Sequence, residues 1–215
     1  VSTAPSRQAL TAACAHLATT DPALARAYEV TGVPVWRDQP PSYAMLGRMI
    51  SHQQISLSAA AAIWNRLEAH LGEVTAEAIL AADPESIRQC GMSRPKVAHL
   101  ISVAEAMVSG RLDLARVCAA PLDEARAELL AVRGIGPWTA ELVLLYAVGA
   151  MDAFPTGDVG LMEAHKRLGG YEIRMDSRAF TAHAERWRPW RGVATHLLWS
   201  WLHIDRARDA APGTA

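Results

Sequence analysis

Apolar residues recur every three or four positions along most of this chain, the period of an amphipathic helix, and the strict alternation of a half-buried strand is scarce. Alanine and leucine, both strong helix formers, supply much of the pattern. The expectation is an all-α protein. Gln8 to Thr19 and Ala23 to Val30 read as two helices, separated by Thr20-Asp21-Pro22 and closed by Thr31-Gly32-Val33-Pro34. A loop from Trp36 to Pro41 follows. Met45, Leu46, Met49 and Ile50 then mark one helix, and Ala60, Ile63, Trp64, Leu67 and Leu71 the next, which stops at Gly72; His52-Gln53-Gln54-Ile55-Ser56 joins the two. Asp83-Pro84-Glu85 combines a capping residue, a proline at the first helical position and an acid favoured by the helix dipole, so a short helix starts there and ends at Cys90-Gly91. Pro95 to Ser109 carries Val97, Leu100, Ile101, Ala104 and Val108 on one stripe.

With 215 residues, 51% of them hydrophobic, the chain can build one large domain or two modest helical ones. Its 21 Lys+Arg against 22 Asp+Glu exclude a blanket of positive charge, so any nucleic-acid footprint must be local. Cys14, Cys90 and Cys118 form no CxxC pair, which argues against a disulfide framework and against a zinc or iron–sulfur site. The eight histidines show no close ligand pair, His196 and His203 being seven apart, and read as solvated or capping groups. No apolar run approaches the ~18–20 residues needed to span a bilayer. The first residues, Val1 to Pro5, lack a basic segment followed by an apolar one, so a cytoplasmic protein without a membrane partner is expected.

The most informative stretch lies between Leu122 and Val148. Two periodic segments flank Arg133-Gly134-Ile135-Gly136-Pro137, with Asp123 and Glu124 in the first turn of the leading one, giving a helix, a hairpin and a second helix. Gly134 and Gly136 admit backbone angles closed to other residues and let backbone N–H groups approach a ligand closely. Pro137 starts the second helix, whose free N–H groups and positive dipole end suit a phosphate oxygen. Such a site holds DNA backbone without reading sequence. By itself the pattern also fits a glycine-rich turn between two packed helices.

The context decides between these. Residues 129–140, LLAVRGIGPWTA, resemble the helix-hairpin-helix of base-excision DNA glycosylases, and Phe154-Pro155-Thr156-Gly157-Asp158 resembles the loop that carries that superfamily's catalytic aspartate. Ala184-Glu185-Arg186-Trp187-Arg188-Pro189-Trp190-Arg191 is similar to the AERWxPWR signature of 3-methyladenine DNA glycosylase II, the alkylation-repair branch. The resemblance spans roughly residues 42 to 204. It implies two helical subdomains around a DNA-binding cleft, and a compact form without the N-terminal β-rich domain of the best-known members. The expected division is 1–41, N-terminal helices packing with the C-terminal subdomain; 42–120, a helical subdomain carrying the wedge loop; and 121–215, the hairpin and the aspartate.

The resemblance also implies a chemistry and a set of roles. Removing a base from deoxyribose builds positive charge on the sugar, and a carboxylate beside C1′, here Asp158, stabilises it and orients water. Asp158 also stands where an N-cap of a helix from Val159 to Leu168 would, and the two roles are compatible. Asp152 is the runner-up carboxylate. The lysine nucleophile of bifunctional relatives is replaced by Trp138, and the four cysteines of an iron–sulfur cluster are missing, so base release without strand cleavage is expected, with no cofactor required. Trp138 and Trp199 fall at base-pocket positions, while Leu142 and Val159 replace two of the family's pocket aromatics. Trp187 and Trp190 are expected to pack their helix against the core. Gln54, with Gln53 beside it, takes the wedge position that fills the gap left by a flipped base; an ordinary polar helix end is the other reading. Phosphate contacts are expected from Arg133, Gly134, Ile135 and Gly136, with Arg94 and Lys96 as weaker candidates. The family's hairpin binds a monovalent cation through carbonyls, here those of Leu130, Val132 and Ile135. The implied partner is duplex DNA containing alkylated bases, engaged by a monomer; a non-catalytic protein that binds damaged DNA is the alternative.

Overall fold

The computed structural model describes residues 3–210, and every regular element among them is helical. In chain order these are α1 (Arg7–Thr20), α2 (Pro22–Thr31), α3 (Tyr43–His52), α4 (Leu57–Leu71), α5 (Ala76–Ala81), α6 (Pro84–Gln89), α7 (Arg94–Val108) and α8 (Leu114–Ala119). There follow α9 (Leu122–Leu130), α10 (Pro137–Val143) with a π-helical turn at Leu144–Val148, α11 (Val159–Gly169), α12 (Ser177–Ala184) and α13 (Arg191–Ala210). None is long and apolar enough to cross a membrane.

Capping side chains set most boundaries. Ser6, Asp21, Ser42, Ser56, Thr75, Asp83, Asp113, Asp158 and Asp176 each accept a backbone N–H in the first turn that follows, satisfying donors that have no partner within the helix. Gly72 ends α4 at φ 79° and Gly170 ends α11 in the left-handed region. The six-residue helices α5 and α8 escape the periodicity argument because fewer than two turns cannot display it. Val108, expected on the apolar stripe of α7, is 54% exposed at the helix end, and Val103 takes the buried place instead.

The described residues divide into two compact units, one made of 39–147 and the other of 3–38 with 148–210. The boundary expected after residue 120 is therefore not where contacts thin out. α9 packs on α8 and α10 on α3, which ties the hairpin to the unit that carries the wedge loop. Residues 39–41 belong there too, since Gln39 N–H donates to the Tyr146 carbonyl at 3.0 Å. Within this unit α3 and α4 close tightly because Gly47 has no side chain: a Cβ there would lie 2.9 Å from the Trp64 ring. Tyr43 Oη donates to the Leu100 carbonyl of α7 at 2.9 Å.

In the second unit α2 packs against both α11 and α13, and α1 against α2 and α13. Leu17, Leu24, Phe180, Trp187 and Leu198 are among its buried apolar residues. Trp187, as expected, is fully buried, and Trp190 sets its ring edge-on to His16 of α1 at 4.6 Å.

Candidate active site

The loop ahead of α11 is fixed from several sides. Phe154 is buried between Phe180 and Trp187, with ring centroids 5.8 and 6.1 Å away. Gly157 turns the chain at φ +83°, a conformation costly for any residue with a Cβ. Asp158 then caps α11, its Oδ1 accepting the Leu161 N–H at 2.9 Å. Trp199 Nε1, on α13, donates to the same oxygen at the long distance of 3.4 Å. Gly160 leaves room for this arrangement, since a Cβ there would stand 3.1 Å from Asp158 Oδ1. Val159, next to the aspartate, is 56% exposed.

Asp152, the other carboxylate of this region, is committed elsewhere. Its Oδ1 accepts the Arg191 backbone N–H at 3.2 Å and Nε at 3.0 Å, and its Oδ2 accepts Arg191 Nη2 at 2.9 Å and Arg188 Nη1 at 2.7 Å. Glu185 binds the same two arginines. The charged residues of the AERWxPWR stretch therefore clamp the start of the aspartate loop to α13, reinforced by Gly192 N–H donating to the Met151 carbonyl at 2.8 Å. An acceptor holding four donors has no capacity left for a reacting group, which removes Asp152 as a catalytic candidate.

Two residues complete the surroundings of Trp199: His196, which the sequence reading places among the solvated or capping histidines, and Arg37, which it does not name. His196 is buried, stacks on Trp36 at 4.1 Å, donates from Nδ1 to the Gly192 carbonyl at 2.8 Å and accepts the Arg37 backbone N–H on Nε2 at 3.3 Å. These bonds fix the tautomer. Burial, helped by the charge of Arg37, pushes its pKa down to about 4, so the ring is neutral at physiological pH. Arg37 itself is exposed, makes no ion pair among the described residues, and lies over the Trp199 ring with Cζ 5.3 Å from the centroid. No periodicity or spacing marks a loop arginine for such a role; only the fold brings residue 37 beside residue 199.

The other candidates lie in the unit of residues 39–147. In the hairpin, Gly134 adopts φ +102°, and a Cβ would come within 2.7 Å of His99 Cβ on α7, so this glycine is required by packing rather than by ligand approach. Gly136 is the opposite case: its φ is an ordinary −89°, and a Cβ there would meet nothing within 4 Å. It caps α10 without a side-chain hydrogen bond, leaving the first amides of that helix to an outside acceptor. Arg133 is exposed with no ion pair among the described residues, and Ile135 is buried beneath it. Trp138 is half-buried and Leu142 buried. Glu141, between them, is tied by the Arg126 Nε at 2.5 Å.

In the loop between α3 and α4, Gln54 is exposed and takes φ 62°, the one non-glycine residue with positive φ among those described. That strained conformation makes it the tip of the loop. Gln53 is tied down instead: its amide donates to Thr139 Oγ1 at 2.9 Å, anchoring the loop to α10. Lys96 already serves the fold at the end of α3. Its Nζ donates to the Ser51 carbonyl at 2.7 Å at the end of α3, and burial lowers its pKa. Arg94, exposed at the start of α7, remains open to solvent.

The histidines are not all solvated or capping groups. His165 and His183 converge on the buried Asp21, whose Oδ2 lies 2.7 Å from His183 Nε2, 3.4 Å from His165 Nε2 and 3.0 Å from Trp187 Nε1, while Oδ1 caps α2 through Ala23 N–H. One ligand atom from each of Asp21, His165 and His183 lies within 4.8 Å of the others, the spacing of a possible metal site. The 2.7 Å contact is a hydrogen bond, however, and a third donor, Trp187 Nε1, already crowds the oxygen, so the cluster reads as a satisfied buried polar network.

A glycine hairpin between two helices and an aspartate capping a later helix define a helix-hairpin-helix protein. The family model described as HhH-GPD superfamily base excision DNA repair protein matches residues 48–189, and the chain belongs to that superfamily. Among curated relatives it is 38% identical over 165 residues to a probable bifunctional transcriptional activator/DNA repair enzyme AlkA of Mycobacterium tuberculosis, a match covering 72% of this chain and 32% of that protein. It is 31% identical over 161 residues to DNA-3-methyladenine glycosylase 1 of Schizosaccharomyces pombe, covering 73% and 71%. The chain thus spans about a third of the length of the mycobacterial relative. Among solved structures, the S. pombe 3-methyladenine DNA glycosylase Mag1 in complex with abasic DNA superposes with a TM-score of 0.80 at 27% identity, covering 94% of this chain and all 100% of that one. A DNA-3-methyladenine glycosidase from Bacillus halodurans gives 0.71 at 30% identity, covering 98% and 94%.

Proposed function

We propose that this protein excises alkylated bases of the 3-methyladenine and 7-methylguanine type from duplex DNA, flipping the base and hydrolysing its N-glycosidic bond, with Asp158 as the carboxylate that stabilises the developing sugar cation. The observation that carries the reading is the Asp158–Trp199 contact: a carboxylate held at a helix N-terminus beside a half-buried indole, within a chain of this superfamily. Helix capping fixes the position of the carboxylate, which is what electrostatic stabilisation of a cation requires. The amides at Gly136 and the exposed Arg133 are the proposed phosphate contacts, and Gln54 the proposed wedge. The carbonyls of Leu130, Val132 and Ile135 offer an oxygen-only donor set for a monovalent cation, although the Val132 carbonyl also accepts the Ile135 N–H at 3.1 Å.

Lysine chemistry is poorly placed. The sequence has two lysines, and Lys96 is bound to the Ser51 carbonyl while Lys166 stands eight residues beyond Asp158, about 12 Å along α11. No Schiff base with the sugar is expected.

The test is release of methylated bases from duplex DNA by the wild type and by Asp158→Asn, with fold and DNA binding followed in parallel. Wild-type release that drops at least about a hundredfold in a folded, DNA-binding variant supports the reading. Equal release by both moves catalysis off Asp158. Binding without release by either leaves a protein that recognises damaged DNA, and a borohydride-trapped adduct would contradict the hydrolytic route.

A further inference from the structure

The loop after α2 turns alternate side chains in and out: Val35 and Arg37 are exposed, and Trp36 between them is buried. Trp36 stacks on His196 at 4.1 Å, and His196 Nε2 accepts the Arg37 backbone N–H at 3.3 Å, so α13 holds this stretch at two successive residues. Arg37 therefore projects from an anchored backbone, its Cζ 5.3 Å from the centroid of the Trp199 ring. The same indole donates its N–H to Asp158 Oδ1. A guanidinium and a carboxylate thus stand against one side chain without meeting each other. Asp38, the next carboxylate in the chain, accepts from Thr3 Oγ1 at 3.1 Å, and Arg37 forms no ion pair among the described residues.

On the excision reading above, we propose that Arg37 is a phosphate-binding site for the extruded nucleotide, holding one of the two backbone phosphates that flank the sugar at Asp158. A nucleotide whose C1′ reaches Asp158 brings both phosphates within a sugar's length of the carboxylate, and like charge opposes their approach. The fold places a permanent cation on the far side of the same indole, and the planar fork of an arginine matches a phosphate through two parallel N–H bonds. The hairpin amides and Arg133 are the proposed phosphate contacts of the unit 39–147, whereas Arg37 serves the unit that carries Asp158, at the nucleotide that reacts. A backbone contact is indifferent to the identity and charge of the base, so it serves every lesion the pocket admits.

The test is binding, across a salt series, to a duplex carrying a tetrahydrofuran abasic analogue, which has no base to release. Arg37→Gln, which keeps polarity but not charge, should weaken binding about tenfold and lower the salt slope by about one, while Arg37→Lys should keep the slope. A neutral methylphosphonate at one of the two linkages flanking the analogue should weaken the wild type about as much and Arg37→Gln no further; the same change several nucleotides away should weaken both proteins equally. Unchanged affinity and slope in Arg37→Gln overturns the site and leaves the guanidinium as packing for Trp199. Equal losses by the two proteins at both flanking linkages overturn it as well. A folded wild type that binds this duplex yet releases no methylated base refutes excision without touching the linkage result, and one that binds no duplex refutes both.

Discussion

Asp21 shows how much one buried carboxylate can hold. Burial raises its pKa, but hydrogen bonds from His165, His183 and Trp187, together with the charge of His165, outweigh that effect and hold the carboxyl well below the usual carboxylate range. A carboxylate depressed in the folded state contributes stability that is present above its unfolded value, about 4, and is lost as pH falls below it. His196 acts in the same direction at higher pH: its folded pKa of about 4 lies below the unfolded value, so stability is complete above the unfolded range near 6.5 and declines as pH falls from there. Urea denaturation should therefore show stability level around pH 7, a first loss between about 6.5 and 4, and a second below. Asp21→Asn should cost about 2–4 kcal/mol at pH 7, a deficit that narrows as acid protonates the wild-type carboxyl. Neither effect was legible in the sequence, because the partners stand 144 and 162 residues away and nothing local in His165 or His183 announces a shared acceptor.

At the scale of elements, the helices and their limits were largely readable, since caps such as Asp21, Asp83 and Asp158 are local chemistry written beside the apolar period. The hairpin was readable as a motif but not in its division of labour. The two glycines of Gly134-Ile135-Gly136 do different things. Gly134→Ala introduces a Cβ at φ +102° and 2.7 Å from His99, and should cost about 2–4 kcal/mol because α7 is backbone-supported there and cannot yield. Gly136→Ala meets open space at an allowed φ and should change stability by less than about 1 kcal/mol, yet its methyl stands where a phosphate would approach and should weaken DNA binding. Thermal melting together with DNA titration separates the two; equal effects of both variants on stability would contradict the assignment. The glutamines Gln53 and Gln54 teach the same lesson, one being tied to Thr139 and the other left at the exposed tip, a difference set by a single backbone angle.

At the scale of the whole molecule, 3–38 and 148–210 make one unit and 39–147 the other, so the chain leaves the first unit, builds the second and returns. The contacts within 39–147 close shorter loops than those that join α1 and α2 to α11 and α13. Amides of α3, α7 and α10 should accordingly gain protection before those of α1 and α2 in pulse-labelling hydrogen exchange during refolding; simultaneous protection would show that the units do not form separately. This discontinuity was the part of the architecture least visible beforehand, because helix-forming pattern says what each segment becomes and nothing about which distant segment it meets.

The return of the chain also orders events at the ribosome. While α3 to α10 are being made, α1 and α2 have been synthesised and can pack on each other, but the surfaces they turn to α11 and α13 do not yet have those partners. They wait until α13, the last helix of the described residues, has left the exit tunnel. For that interval the nascent chain presents an unburied apolar face, a natural substrate for the chaperones that attend synthesis.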